Sequence, residues 1–444
     1  MTVKVLTAPE MYRRPVEESA PYENWLSWLK KVATECMRVA HLTISVAQKF
    51  APVDFWMILI LHAMLDISLD DAADRLNKLL WKQYNARRRH KLSPPEYDGT
   101  YIRRQRKCPT GDQVRKFRNW LPNWLLKDLN RLIFTRLLDY ALENHFITYD
   151  IDLLVDTTDQ WYYGGDRYPA NPFITGGHNG PGTNRKRKHL AIMLRSGTTF
   201  LFVGVALIAK KASNAPDILA TIDWLLGKGF KIRYLYADRW FPSWELLSQL
   251  LPRKVTYVGP FKKTAPVRRL VEAYIKHGGN GKYIIPYAAN APYQKGQPRQ
   301  PSVPVRLILR SAKGRRLREV RQDYLSGKMT LEECVKEIMV MLTTAAPPKG
   351  AKRRQAWATN LCQGYRVRWH IETGFRDLAR TAPPSNARTN ERQFLMWSTR
   401  YWSFNAWQLE RARRKRLRGV PKSWRKGPTL RQFGNAMLEL EVPV

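Results

Sequence analysis

"YDIDLLVDTTDQWYYGG", residues 149–165, is where the chain changes character. Before it the apolar residues recur at helical spacing. Here a short apolar run, Ile151 to Val155, reads as a buried strand that stops at Asp156. "KHLAIMLRS" (188–196) and "TTFLFVGVALIA" (198–209) follow as two more strands, joined by a turn at Ser196-Gly197. A helix over 214–230, a strand "KIRYLYAD" (231–238), a helix over 243–251 and a strand "KVTYVGPF" (254–261) complete the series. Three strands followed by helix, strand, helix, strand predict an α/β layer with a mixed sheet.

Working outward, residues 1–148 read as an all-helical domain, with periodicity over 23–48, 53–66, 69–80, 112–119 and 122–144. Thr110 stands as an N-cap. "DISLDDAADRLN" (66–77) has the helix–turn–helix pattern of DNA-binding modules, which ordinary helical packing produces about as often. On the other side, residues 262–350 are richer in Lys, Arg, Pro and Gly. They predict strands at 282–286, 303–310 and 338–344 with a helix at 329–337. Helices return over 352–380 and 390–414, and Trp397, Trp402 and Trp407 are placed to pack the last one onto the core. The domain reading is therefore 1–148, 149–261, 262–350, 351–415 and a basic tail, 416–444. The Gly- and Asn-rich stretch 164–188 reads as a long hairpin loop.

Lys and Arg number 76 against 37 Asp and Glu, a net charge of +39. Such an excess attracts polyanions, of which nucleic acid is the commonest. The longest apolar runs, 55–65 and 198–209, are too short to span a bilayer, so no membrane partner is expected. Four cysteines without metal spacing and no legible secretory leader lead us to expect a reducing, cytoplasmic, nucleoid-associated setting.

Three carboxylates then stand out. Asp156 and Asp238 each sit where an apolar strand stops, and ligands of open α/β sheets bind beyond the carboxyl ends of strands. Glu372 lies in "YRVRWHIETGFRDL" (365–378), where Val367, Ile371, Phe375 and Leu378 form the buried stripe of a helix and Tyr365, Arg368, Glu372 and Arg376 share another sector. Alone, each has an ordinary reading: a turn or cap for the aspartates, an i,i+4 ion-pair ladder for the glutamate. Together, in a cationic chain, they are what phosphodiester chemistry needs. Two divalent ions about 3.5–4 Å apart can activate the attacking oxygen and stabilise the leaving one. Mg²⁺, or Mn²⁺ in its place, favours carboxylate oxygen and neutralises the repulsion between converging acids. Arg368 and Arg376 would orient Glu372 or contact phosphate. Asp152, at the start of its strand, and Asp159 are rival first acids, Asp159 also suiting a supporting place.

Tyr365, Arg368 and Glu372 match the Y-x2-R-x3-E signature around the last acid of DDE transposases of the insertion-sequence-four group. "VDTTD" and "YADRWF" resemble that family's first and second acid blocks, in order. The resemblance covers 149 to about 415. It implies a ribonuclease-H-like mixed-sheet catalytic core, interrupted by a mainly β insertion. It also implies cut-and-paste transposition, with hydrolytic nicking at element ends and attack by a 3′-hydroxyl. Asp156, Asp238 and Glu372 would hold the metal pair. The family's Lys seven residues after the glutamate is Ala379 here; Arg376 or Arg380 would replace it. No Trp lies between Trp244 and Trp357, so a base flipped during hairpin formation would have to meet Tyr283, Tyr287 or Tyr293.

The partners expected are double-stranded DNA, as terminal inverted repeats and target, and a second copy of the chain, a homodimer on DNA. For phosphate contact the candidates are Tyr365, Arg368, Arg376 and Arg380, with Arg239 beside Asp238 and the run Arg185, Lys186, Arg187 and Lys188. Two other readings stay open: a domesticated nuclease that cuts without joining, and a non-catalytic basic DNA-binding protein.

Overall fold

The structure, a computed structural model, describes residues 52–65, 67–88, 108–120, 123–162, 171–180, 183–278, 283–291, 300–379 and 390–416. Among the described residues, four helices precede the sheet: α1 (Pro52–Leu65), α2 (Leu69–Arg88), α3 (Gly111–Trp120) and α4 (Asn123–Glu143). The expected helix at 23–48 lies outside the described residues. Helix α3 begins where Thr110 predicts it. The Gln113 amide donates to Thr110 Oγ1 and the Thr110 amide to Gln113 Oε1, a reciprocal cap that satisfies two end donors. Helix α1 is buried along Phe55–Leu61, so it is a core helix without a polar face. No helix among the described residues is long and apolar enough to cross a membrane.

A nine-stranded mixed sheet carries the rest. Strands β1 (Asp150–Trp161), β2 (Ile174–Gly180), β3 (Thr183–Ser196) and β4 (Thr199–Ile208) precede helix α5 (Ala215–Gly227). Strand β5 (Lys231–Ala237), helix α6 (Trp244–Leu250) and strand β6 (Thr256–Pro260) follow. β3 runs antiparallel to β1 and β4, whereas β1, β5 and β6 are parallel. The parallel strands are joined by helices, as crossover geometry requires.

Two expectations change here. The 164–188 stretch is not one loop, because β2 and the start of β3 pair antiparallel within it. The described residues of 262–350 are not mainly β. They hold helices α7 (Ala265–His277), α8 (Leu317–Leu325) and α9 (Leu331–Glu337) beside strands β7 (Ile284–Ala289), β8 (Val303–Ser311) and β9 (Ile338–Thr343). Those strands continue the same sheet: β9 pairs with β6, β8 with β9 and β7 with β8. Helix α10 (Ala351–Tyr365), a 3-10 turn (Arg366–Arg368), helix α11 (Trp369–Ala379) and helix α12 (Asn390–Arg416) complete the described chain. Helix α12 packs on β4, α1 and α4, with Trp397, Trp402 and Trp407 buried as expected.

A polar layer lies between β1, β3 and α12. Gln160 Nε2 donates to Gln393 Oε1 at 2.9 Å, and Gln160 Oε1 faces His189 Nε2 at 3.2 Å. The fully buried His189 ring stacks on Trp397, centroids 4.5 Å apart. Burial, then the nearby charges of Arg187 and Arg400, push its pKa down to about 3. An unfolded histidine titrates near 6.5, so on acidification the unfolded chain takes up the proton first. Stability is thus lost as pH falls below about 6.5, at up to about 1.4 kcal/mol per pH unit. Asp156, whose pKa is raised to about 6, acts in the opposite sense, its protonation favouring the folded state. Comparison with His189→Gln isolates the histidine: urea unfolding between pH 6.5 and 5 should show a shallower acid loss in the variant than in the parent.

Candidate active site

The parallel pairing of β1 with β5 brings the two aspartates together. Its last partners are Val155 and Ala237, so Asp156 and Asp238 are the next residues on neighbouring strands. Strand β1 does not end at Asp156, as its apolar run implies. It continues to Trp161, its polar half still pairing with β3. What ends at Val155 is full burial, and the carboxylate sits at that boundary.

Glu372 is delivered by the helix pair α10 and α11. Helix α10 comes close to β5 because Gly364 has no side chain: a Cβ there would lie 2.5 Å from the Tyr236 hydroxyl. The 3-10 turn tightens the chain after Tyr365, and Glu372 falls in the first turn of α11. Ile371 and Leu378 are fully buried, and Phe375 stacks against Phe202. This fixes the rotation of α11 and thereby the direction of Glu372.

Arg368 joins β1 to α11. Its Nη1 donates to Asp156 Oδ2 at 2.6 Å and its Nη2 to Glu372 Oε1 at 2.5 Å, with the side chain 12% exposed. Its guanidinium lies 5.5 Å over the Tyr365 ring. The Thr157 amide donates to Asp156 Oδ1 at 2.8 Å. Burial raises the Asp156 pKa to about 6, Arg368 and the Thr157 amide oppose the rise, and the charges of Asp238 and Glu372 add to it. One carboxyl group therefore feels the other two.

Tyr257 has no distinguishing mark in the sequence. Fully buried on β6, its hydroxyl donates to the Asp238 carbonyl at 3.3 Å. Gly259 makes room, since a Cβ there would lie 2.3 Å from the Ala237 carbonyl oxygen and 2.7 Å from the Tyr257 hydroxyl. Nothing in "KVTYVGPF" separates this tyrosine from a core residue; only the sheet order places it behind Asp238.

The other candidates divide. Asp152 is buried and ion-paired with Arg195 and Arg233 at 3.3 and 3.2 Å, and Asp159 with Lys186 at 2.6 Å. Arg187 is no surface contact: it is 1% exposed, donates to Asn390 Oδ1 at 3.0 Å and lies 4.5 Å over the Tyr162 ring. The basic run is on a strand, whose successive side chains point to opposite faces, so it cannot present all four cations to one ligand. Arg185 and Lys188 are half-buried. Arg239 and Arg376 are exposed, and Arg376 bonds to neither Asp156 nor Glu372. Arg380 and Tyr293 lie outside the described residues. Tyr287 packs on Phe261 at 5.9 Å and Tyr283 against the core, which makes both poor platforms for a base.

Residues 172–406 match the sequence model of the family described as Transposase DDE domain. The chain belongs to that transposase family. The matched span includes Asp238 and Glu372 and begins after Asp156. Among solved structures, the DDE-domain chain is similar to the cryo-EM structure of a piggyBac transposase synaptic complex with hairpin DNA. That similarity has a TM-score of 0.44 and 11% identity, covering 96% of this chain and 80% of the other. No curated protein sequence matches it.

DDE domains use divalent metal ions. Three carboxylates within electrostatic reach are the right donors for such ions. Arg368 bridges two of them, and no three His, Cys, Asp or Glu among the described residues stand close enough to hold an ion as they are. The donor types fit a metal, and its entry would require the Arg368 hydrogen bonds to give way.

Proposed function

We propose that this family member is an active cut-and-paste DNA transposase of the insertion-sequence-four group, with Asp156, Asp238 and Glu372 as its catalytic acids. The observation that carries this reading is the juxtaposition of Asp156 and Asp238 where β1 and β5 part, with Glu372 tied to Asp156 through Arg368. The order β4–β3–β1–β5–β6, antiparallel on one side and parallel on the other, supports a ribonuclease-H-like core. The four N-terminal helices suit recognition of inverted repeats on double-stranded DNA, and pairing of element ends suits a homodimer.

In this reading Asp156 and Asp238, held in register by the sheet, and Glu372, held by α11, would bind Mg²⁺, with Mn²⁺ as substitute. Ions bound there would supply a nucleophile at neutral pH and charge neutralisation at the leaving oxygen. Tyr257 fixes the backbone of Asp238, Arg368 keeps the acids from repelling one another before ions enter, and exposed Arg239 and Arg376 contact phosphate. With Ala379 in place of the signature's lysine, Arg376 is the cation left on that helix.

Strand transfer separates this reading from a nuclease that only cuts. Supplied with pre-cut ends of its element, a plasmid target and Mg²⁺, the protein should join both ends to the target and leave a short gap of fixed length. Cleavage without joining would reduce the reading to a nuclease.

A further inference from the structure

Two carboxylates of the cluster are already engaged by a cation. Asp156 accepts from Arg368 on Oδ2 and from the Thr157 amide on Oδ1, while Glu372 accepts from Arg368 on Oε1. The guanidinium fork spans both acids and places one fixed positive charge between them. A guanidinium does not lose its proton at working pH, so this charge can leave only by movement of the side chain. A phosphate group offers an alternative acceptor of matching geometry, since two N–H bonds of the fork can pair with two phosphate oxygens.

We infer that Arg368 is a built-in counter-ion that closes the acid cluster to divalent ions until a phosphodiester draws the guanidinium away. The inference rests on the proposed reading of Asp156, Asp238 and Glu372 as the ion-holding acids. Metal and DNA then bind with positive coupling, and by linkage each raises the affinity for the other by the same factor. Loading without DNA is suppressed, which restrains metal-bound acids from acting before a substrate is in place.

The experiment measures Mn²⁺ binding to the full chain from the paramagnetic resonance signal of free Mn²⁺, with and without a short random-sequence DNA duplex, corrected for Mn²⁺ held by the duplex alone. Without DNA, Arg368→Gln should bind Mn²⁺ about tenfold more tightly than the parent, the size of a typical coupling. Arg368→Lys should also bind more tightly, because an ammonium keeps the charge but cannot span both acids. Arg318→Gln, which removes an exposed charge on α8, should not change the affinity. The duplex should tighten Mn²⁺ binding to the parent and have little effect on Arg368→Gln. Equal or weaker Mn²⁺ binding by Arg368→Gln, or no effect of duplex on the parent, overturns the inference. Asp238→Asn distinguishes the two failures, since Arg368 does not hydrogen-bond that carboxyl. If Asp238→Asn leaves Mn²⁺ binding intact, the acid-cluster reading fails. If it weakens binding while Arg368→Gln does not tighten it, only the counter-ion fails. Should Arg368→Gln not fold, as judged by thermal melting, Arg368→Lys and the parent with duplex decide between the two outcomes.

Discussion

Asp156→Asn should lower DNA cleavage at element ends by about 10²- to 10³-fold, the scale of losing one group that stabilises developing charge in a preorganised site. Duplex binding by gel shift should be unchanged or slightly tighter, because a negative charge is removed. The substitution keeps the shape of the side chain, and its amide oxygen can still accept from Arg368. The Asp156 carboxyl is held at a raised pKa by burial and by two neighbouring acids, so its loss should not unfold the sheet. Asp238→Asn and Glu372→Gln should give defects of the same order, and a double variant little more than a single one, because groups that act as a unit are not additive. A protein whose only function is to bind DNA would behave otherwise: all three variants would keep function.

Trp402→Ala should destabilise the fold by about 3–5 kcal/mol, the cost of truncating a buried tryptophan. Trp402 is 1% exposed on α12, its ring 5.9 Å from Trp56 of α1. Its indole N–H donates to Asn130 Oδ1 on α4 at 3.0 Å, and Asn130 Nδ2 donates to Ser398 Oγ at 2.9 Å. The substitution therefore opens a cavity and strands a buried acceptor, a further cost of about 1–3 kcal/mol. Trp402→Phe keeps most of the ring volume and loses mainly the hydrogen bond. Urea midpoints should rank parent, Trp402→Phe, Trp402→Ala, and equal midpoints for all three would show that α12 does not tie the N-terminal helices to the sheet.

Much of this arrangement is legible in the chain because its signals are local. The apolar run of α1, the periodicity of α2 to α4, the apolar runs leading to Asp156 and Asp238, and the stripe that orients Glu372 each lie within one element. What stays hidden depends on pairing across the fold. β1 runs on past Asp156 because Thr158 and Gln160 pair with His189 and Arg187 of β3, beneath α12, and no pattern of hydrophobicity marks that half. The Gly- and Asn-rich stretch conceals β2 because its strand character comes from its partner, Arg185 to Arg187. Helices α7 and α8 lie in a segment rich in Lys, Arg, Pro and Gly for which strands and one later helix are expected, and only the β6–β9 pairing shows that this segment extends the sheet. Arg187 misleads because a run of basic residues looks like surface until its strand is given a buried face. Tyr257 becomes visible only when β6 is placed beside β5.

Iron-directed cleavage of the polypeptide tests most directly whether Asp156, Asp238 and Glu372 hold ions at one point. With Fe²⁺ in place of Mg²⁺, a short duplex, ascorbate and peroxide, hydroxyl radicals cut the backbone beside the bound ion. Cuts are expected at all three positions, competed away together by excess Mg²⁺ and abolished together by Asp238→Asn. Cuts confined to one position, or placed elsewhere in the chain, would contradict a shared ion site.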